Sequence, residues 1–192
     1  MTSGFGSMAL ALVQQAALAP SSHNTQPWRF RARESAIDVF GDRTRALPVN
    51  DPDDRELTIS CDAALLNLRV AAAHHGVALD LQLLPDADDP DWLARASLGT
   101  PNGGMSPDGG LFACIGFRRT YRKRFAPRMV ESSALGSLMD AASIEGAYLR
   151  PIVAVEARRT VAGLGERRRC RTVGQPELAT RARDVDAHPA SG

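Results

Sequence analysis

The stretch Ala19-Pro20-Ser21-Ser22-His23-Asn24-Thr25-Gln26-Pro27-Trp28-Arg29-Phe30 joins two different kinds of chain. Before it, residues 7–18 are apolar almost all round and read as a short, mostly buried helix. After it, Trp28 to Arg33 alternates in strand fashion. Pro20 stops the helix, while Ser21, Ser22 and Asn24 favour turns over helix interior. Gln26-Pro27 forces an extended entry into the strand. The expected product is a rigid polar loop at a helix–strand corner, a place where function is often carried. An ordinary helix-to-strand connection is the competing reading.

Outward from this loop, residues 27–33 and 36–40 read as two strands joined by Arg33-Glu34-Ser35 into a hairpin. Asp51-Pro52-Asp53-Asp54 then carries the marks of a helix start, with Asp51 as N-cap and Pro52 at the first helical position. Leu57, Cys61, Ala64, Leu65, Leu68, Ala71 and Ala72 recur at three- and four-residue steps. Gly76 ends the element. The pattern predicts a core helix of about 24 residues, roughly 36 Å long.

Beyond it, residues 77–84 alternate as a strand and residues 92–98 are a candidate for another. Residues 100–110 (TPNGGMSPDGG) are glycine-rich and expected to be loop-like. Residues 131–146 read as a helix with Ser132 or Ser133 near its start, and residues 149–155 as a strand. From Glu156 the chain carries eight arginines against five acids, with few large apolar residues. A short helix near 157–165 is expected there, with disorder after about residue 166.

The 192 residues, 44% hydrophobic and 23% charged, describe a globular chain with material for one good core. A net charge of +1 gives no general attraction to nucleic acid or to a membrane surface. Cys61, Cys114 and Cys170 are far apart and make neither a disulfide framework nor a zinc motif, which fits the cytoplasm. Met8 to Ala19 imitates a signal peptide, but the first basic residue is Arg29 and no positive leader region precedes it. No apolar run approaches the roughly 18 residues of a membrane span.

Six basic residues fall in the eleven positions 118–128, with no acid among them. Arginine grips phosphate oxygens in pairs and Thr120 adds a hydroxyl, so an anion site is one reading. A solvated basic face is the blander one. Nucleic-acid binding is a third, weakened by the near-neutral charge and by the lack of a second basic-aromatic patch. His74 and His75 at the helix end read as favourable dipole partners rather than metal ligands. His23 is read as ligand contact or turn residue with equal weight. Asp53, Asp54 and Glu56 are explained by the helix start. No dinucleotide fingerprint, phosphate loop or nucleophile elbow is present, and no residue is assigned as catalytic or metal-binding.

The stretch Ala19–Phe30 resembles the A-P-S-x-x-N-x-Q-P-W-x-F signature of the FMN-dependent nitroreductase family. Residues 51–76, with Arg55-Glu56-Leu57, Ser60-Cys61 and Asn67-Leu68-Arg69, are similar to the dormancy-associated, Acg-type branch. Arg118-Arg119-Thr120-x-Arg122-x-x-Phe125 resembles that family's phosphate-binding segment. In the Acg-type branch it follows the first half and opens a second, which is the order seen here. The resemblance covers residues 8–155 and implies an α+β fold, nitroreductase-like, with a mainly antiparallel sheet wrapped by helices. It implies residues 1–110 as a first half and 111–155 as the start of a second half; composition leaves 156–192 as an Arg-rich, disordered tail.

It also implies FMN as cofactor. Arg118, Arg119, Thr120 and Arg122 would hold the phosphate, and Pro20, Ser21, Asn24 and Gln26 would line the ring and ribityl region. The implied activity is hydride transfer from NAD(P)H through FMN to a nitroaromatic or quinone-like acceptor, in a cytoplasmic protein that is a homodimer. Its rivals are an FMN-holding protein without turnover and an inactive fragment, since Acg-type chains are longer and this one reads as C-terminally shortened.

Overall fold

A computed structural model describes residues 2–99 and 107–173. The chain divides into two compact units. Unit 1 runs through Thr120 and unit 2 begins at Tyr121.

Unit 1 is an α+β arrangement. Helix α1 spans Thr2–Ala16, strands β1 and β2 span Trp28–Ala32 and Ala36–Gly41, and helix α2 spans Arg55–His74. Strands β3 (Ala78–Leu83) and β4 (Trp92–Gly99) follow, then a 3₁₀ turn over Pro107–Leu111 and the short helix α3, Phe112–Phe117. The four strands form one sheet in the order β1-β2-β4-β3, every pair antiparallel. The 27–33 and 36–40 expectation becomes the β1–β2 hairpin, with Arg33 N–H donating to Ala36 O at 2.8 Å. The candidate strand at 92–98 proves central, because β4 pairs on both sides.

The core lies between one face of this sheet and helices α1 and α2. Leu12, Ile37, Leu68 and Ala96 are fully buried there, with Ala9, Val39, Ala71, Ala72 and Ala94 around them. Every apolar position singled out on α2 is buried. Small alanines on the helices and on β4 bring helix and sheet close together. A second cluster of Ala19, Trp28, Leu57, Cys61 and Ala64 sits behind the polar loop and ties both of its ends to α2.

The other face of the sheet carries the residues of opposite parity. Arg29 and Arg31 lie over the Phe40 ring, Arg95 lies over Trp92, and Phe40 and Trp92 stack at 5.8 Å. Asp38, fully buried, is clamped by Arg33 and Arg95. Burial alone would raise its pKa, but the hydrogen bonds and charges of Arg95 and Arg33 hold it below the ordinary carboxylate value. This is a basic-aromatic patch that linear spacing did not reveal, since its members come from three strands.

Several expectations shift. Helix α1 begins and ends earlier than 7–18. Helix α2 starts at Arg55 rather than at Pro52, with Asp54 in the left-handed region (φ 52°) as its N-cap. Asp51 still caps, from outside the helix: its carboxylate accepts from Leu57 N–H at 2.9 Å, because a turn carries the chain past it first. Gly76 closes the helix as read, at φ 69°, with Val77 N–H donating to Ala72 O at 2.9 Å. Of residues 100–110, positions 100–106 lie outside the described residues.

Unit 2 is helical, with α4 at Ser132–Ile144 and α5 at Val155–Val173. The strand expected at 149–155 does not form. Pro151 lacks an N–H, and no other strand among the described residues of this unit offers a ladder to join. Helix α5 extends well past the 157–165 expected and covers residues 167–173 of the tail read as disordered; positions 174–192 lie outside the described residues. No residue of α4 is buried.

Candidate functional site

The polar loop is built from conformations that most side chains avoid. His23, Asn24 and Gln26 have φ of 51°, 57° and 48°, and such left-handed residues persist only where their surroundings hold them. Here the holding groups can be named. Ser21 O accepts from Asn24 N–H at 3.1 Å, and Ser21 Oγ accepts from Gln26 N–H at 2.9 Å. Ser22 O accepts both the N–H and the hydroxyl of Thr25. Pro27 O accepts from Asp42 N–H at 2.9 Å and from the Cys61 thiol at 3.1 Å. Burial, with the charges of Asp42 and Asp62, pushes that thiol up to about 12, so Cys61 acts as an inert donor.

A second ring of contacts comes from residues 45–60. Arg45 Nη1 donates to Thr25 O at 3.1 Å and Gln26 O at 3.4 Å. Asn50 Nδ2 lies 3.2 Å from His23 Nε2. Ser22 Oγ donates to Glu56 Oε2 at 2.5 Å, and Ser60 Oγ accepts from Ser22 N–H at 3.4 Å. In the sequence Glu56 reads as helix-start electrostatics, and Arg45 and Asn50 carry no signal of a role. The contacts span 19 to 38 residues, so no local spacing announces them.

The inner side of the loop is closed. The space between Ser22, Thr25, Pro27, Arg45, Asp51, Leu57 and Ser60 is about 10 Å³, room for one water. Asn24 is exposed and Gln26 half-buried, and neither side-chain amide is hydrogen-bonded among the described residues. These amides, each with donors and an acceptor, are the loop's free recognition groups. Ser21 is partly spent on the loop itself, and exposed Pro20 supplies shape only.

The first residues of the basic segment, within unit 1, meet the same corner through Arg118. Arg118 Nη2 donates to Leu18 O at 3.4 Å, across 100 positions of sequence, and its Nη1 reaches Thr120 Oγ1 at 3.3 Å. Arg119 Nη1 donates to Gly116 O and Arg118 O, each at 2.8 Å. Both arginines are exposed, and no carboxylate of the described residues pairs with either. Seven of the eight sequence-derived site residues therefore belong to unit 1. Arg122 belongs to unit 2 and is exposed.

His74 stacks flat on Phe112 at 3.9 Å, and His75 meets the same ring edge-on, so this pair fastens α3 to the end of α2. Among the described residues no group of three or more His, Cys, Asp or Glu is arranged to hold a metal ion. None of their helices is long and apolar enough to cross a membrane. Cys61 and Cys114 are free thiols.

No protein-family model matches the chain. It is 33% identical over 143 residues to a Mycobacterium tuberculosis H37Rv protein named "Putative NAD(P)H nitroreductase", covering 74% of this chain and 41% of that relative. It is 40% identical over 82 residues to the same organism's "Putative NAD(P)H nitroreductase acg", covering 43% of this chain and 25% of that one. The chain thus spans well under half the length of these relatives. A solved nitroreductase family protein from Streptococcus pneumoniae TIGR4 superposes on 53% of this chain and 82% of its own, with TM-score 0.41 and 16% identity. At those values superposition alone does not assign a fold. The sequence matches carry the relationship: this chain is a homologue of the proteins named as NAD(P)H nitroreductases, the Acg-type proteins among them.

Proposed function

We propose that this chain holds FMN in an oxidoreductase of nitroreductase type, with NAD(P)H as hydride donor and a nitroaromatic or quinone-like compound as acceptor. The observation that carries the proposal is the Arg118–Leu18 contact, which sets an exposed guanidinium that pairs with no carboxylate among the described residues at the start of a rigid polar loop. A flavin, when bound, supplies the redox chemistry, so the chain needs no nucleophile or metal of its own.

The residues present suit such a group. Asn24 and Gln26 offer amide donors and acceptors to the polar edge of a ring. Arg119, Thr120 and Arg122, with Arg118, offer charge and donors to a phosphate. Arg45, Asn50 and Glu56 hold the loop so that little ordering remains to be done on binding. In the same proposal residues 1–110 form a first half, 111–155 open a second, and a second copy of the chain completes the site in a cytoplasmic homodimer.

The test is a visible spectrum of the full chain after incubation with excess FMN and desalting. A retained flavin spectrum is the expected result, and a colourless protein contradicts the proposal. Anaerobic NADPH then bleaches the flavin if the chain supports turnover. A retained flavin that NADPH leaves oxidised makes the chain a flavin-holding protein.

A further inference from the structure

Unit 1 has a second, larger opening that the flavin reading does not use. A cavity of about 290 Å³ lies between α2 and the β3–β4 end of the sheet. Ile59 and Leu65 of α2 form one wall, Leu83 and Leu84 the other, and buried Val39 also lines it. The mouth is open, with Ile59, Leu83 and Leu84 each more than half exposed. A cavity of about 150 Å³ admits benzene, so this one has room for a two-ring body.

Two features distinguish it from a chance gap. Consecutive side chains on a strand face opposite ways, yet Leu83 and Leu84 both line the cavity. The left-handed turn at Leu84, φ 46°, brings this about while Leu84 N–H still donates to Leu93 O at 2.9 Å. Leucine adopts that conformation only where its surroundings hold it. The second feature is Asp62, one turn along α2 from Thr58 and Ile59. Its exposed carboxylate makes no hydrogen bond or ion pair among the described residues. The one side-chain hydroxyl in the lining, that of Thr58, is spent on Asp54 O.

We propose that this cavity binds a small amphipathic cation, with an apolar body of one or two rings among the leucines and an ammonium group against Asp62. Charge complementarity selects the ligand class: apolar walls take the body, and a single uncompensated negative charge at the rim takes the head. No residue of the 19–26 loop or of the basic segment lines the cavity, so this inference stands apart from the flavin reading.

The test uses the full chain and three probes of one shape: 1-naphthylmethylammonium, neutral 1-naphthylmethanol and anionic 1-naphthylacetate. Calorimetric titration is expected to give saturable one-to-one binding in that order of affinity. Asp62→Asn lowers affinity for the ammonium probe roughly fivefold, the upper end for a partly exposed charge pair, and leaves the alcohol unchanged. Ile59→Trp, at an exposed position, blocks all three while the melting temperature holds. Absence of saturable binding, equal or tighter binding of the carboxylate, or binding indifferent to both variants overturns the proposal. So does a concentration-dependent dimer in sedimentation that Ile59→Asp dissociates, since a second copy then fills the groove.

Discussion

Leu12 and Leu68 in unit 1 are sealed completely between two helices and a four-stranded sheet, whereas Leu138 on α4 of unit 2 is 54% exposed, on a helix with no buried residue. Both regions have apolar helical stretches of similar character. The difference is the sheet. An amphipathic helix gains stability mainly by laying its apolar face on another surface. In unit 1 the β1–β2 hairpin and the long-range β2–β4 pairing make that surface. In unit 2 the one segment with strand-like composition carries Pro151 and finds no ladder. Apolar content is therefore a poor guide to a core; a partner surface decides whether it is buried.

Truncating one leucine in each unit should separate the two sharply. Leu68→Ala should destabilise the protein by about 4 kcal/mol, the transfer loss plus the cavity left in a packed site. Leu138→Ala belongs with surface changes. Urea denaturation followed by circular dichroism reads both, and comparable losses would mean that unit 2 has a core after all.

The buried Asp38 sharpens the account of unit 1. Asp38→Ala should cost about 2.5 kcal/mol at neutral pH, less than a sealed ion pair because Arg33 and Arg95 are partly hydrated. Its folded pKa lies below the unfolded value. The contribution is thus complete above the ordinary carboxylate pKa of about 3.9 and drains away as pH falls through the lower folded value. Stability curves of parent and variant should converge only in that acid window; a gap independent of pH between 6 and 2 would contradict the ion-pair origin.

The basic segment runs across the boundary between the units, so it tests which of them serves the proposed cofactor. Arg119→Ala in unit 1 should weaken FMN binding by about 2 kcal/mol, the scale of a charge-assisted hydrogen bond. Arg122→Ala measures the share of unit 2. Dissociation constants unchanged in both variants would leave the segment as a solvated basic face. In the loop, Asn24→Ala should alter flavin affinity and barely move the melting temperature, because its side chain holds nothing in the fold; a large thermal loss would make the loop structural instead.

The smallest expected effect is the Leu138→Ala change itself, within about 0.5 kcal/mol. A chemical probe complements it. Cys61, pushed up to about 12 and buried, should resist brief alkylation at pH 8 in the parent and in Leu138→Ala. It should label faster in Leu68→Ala, where unit 1 opens more often. Peptide mapping by mass spectrometry gives the comparison.

Much of unit 1 was legible because its signals are local. The α2 face follows from three- and four-residue spacing, Gly76 from the left-handed turn that ends a helix, and the hairpin from alternation around Arg33-Glu34-Ser35. The misreadings fall where a local signal met a nonlocal requirement. Asp51 was rightly read as a cap but wrongly placed in the chain, since its carboxylate reaches forward over a turn. Residues 149–155 looked like a strand but had nothing to pair with.

From the amino-acid order come the two long helices and four strands of unit 1, the polar loop and its kinship with nitroreductase-named proteins, because helix periodicity, strand alternation, turn chemistry and a twelve-residue motif are properties of neighbouring residues. Tertiary structure alone decided the rest. It gathered Arg29, Arg31, Arg33 and Arg95 onto one sheet face, set Arg118 beside Leu18, and clasped the loop with Arg45, Asn50 and Glu56. The physical reason is that such contacts depend on strand order and register, which long-range backbone pairing and shared burial select and which no short window of residues encodes.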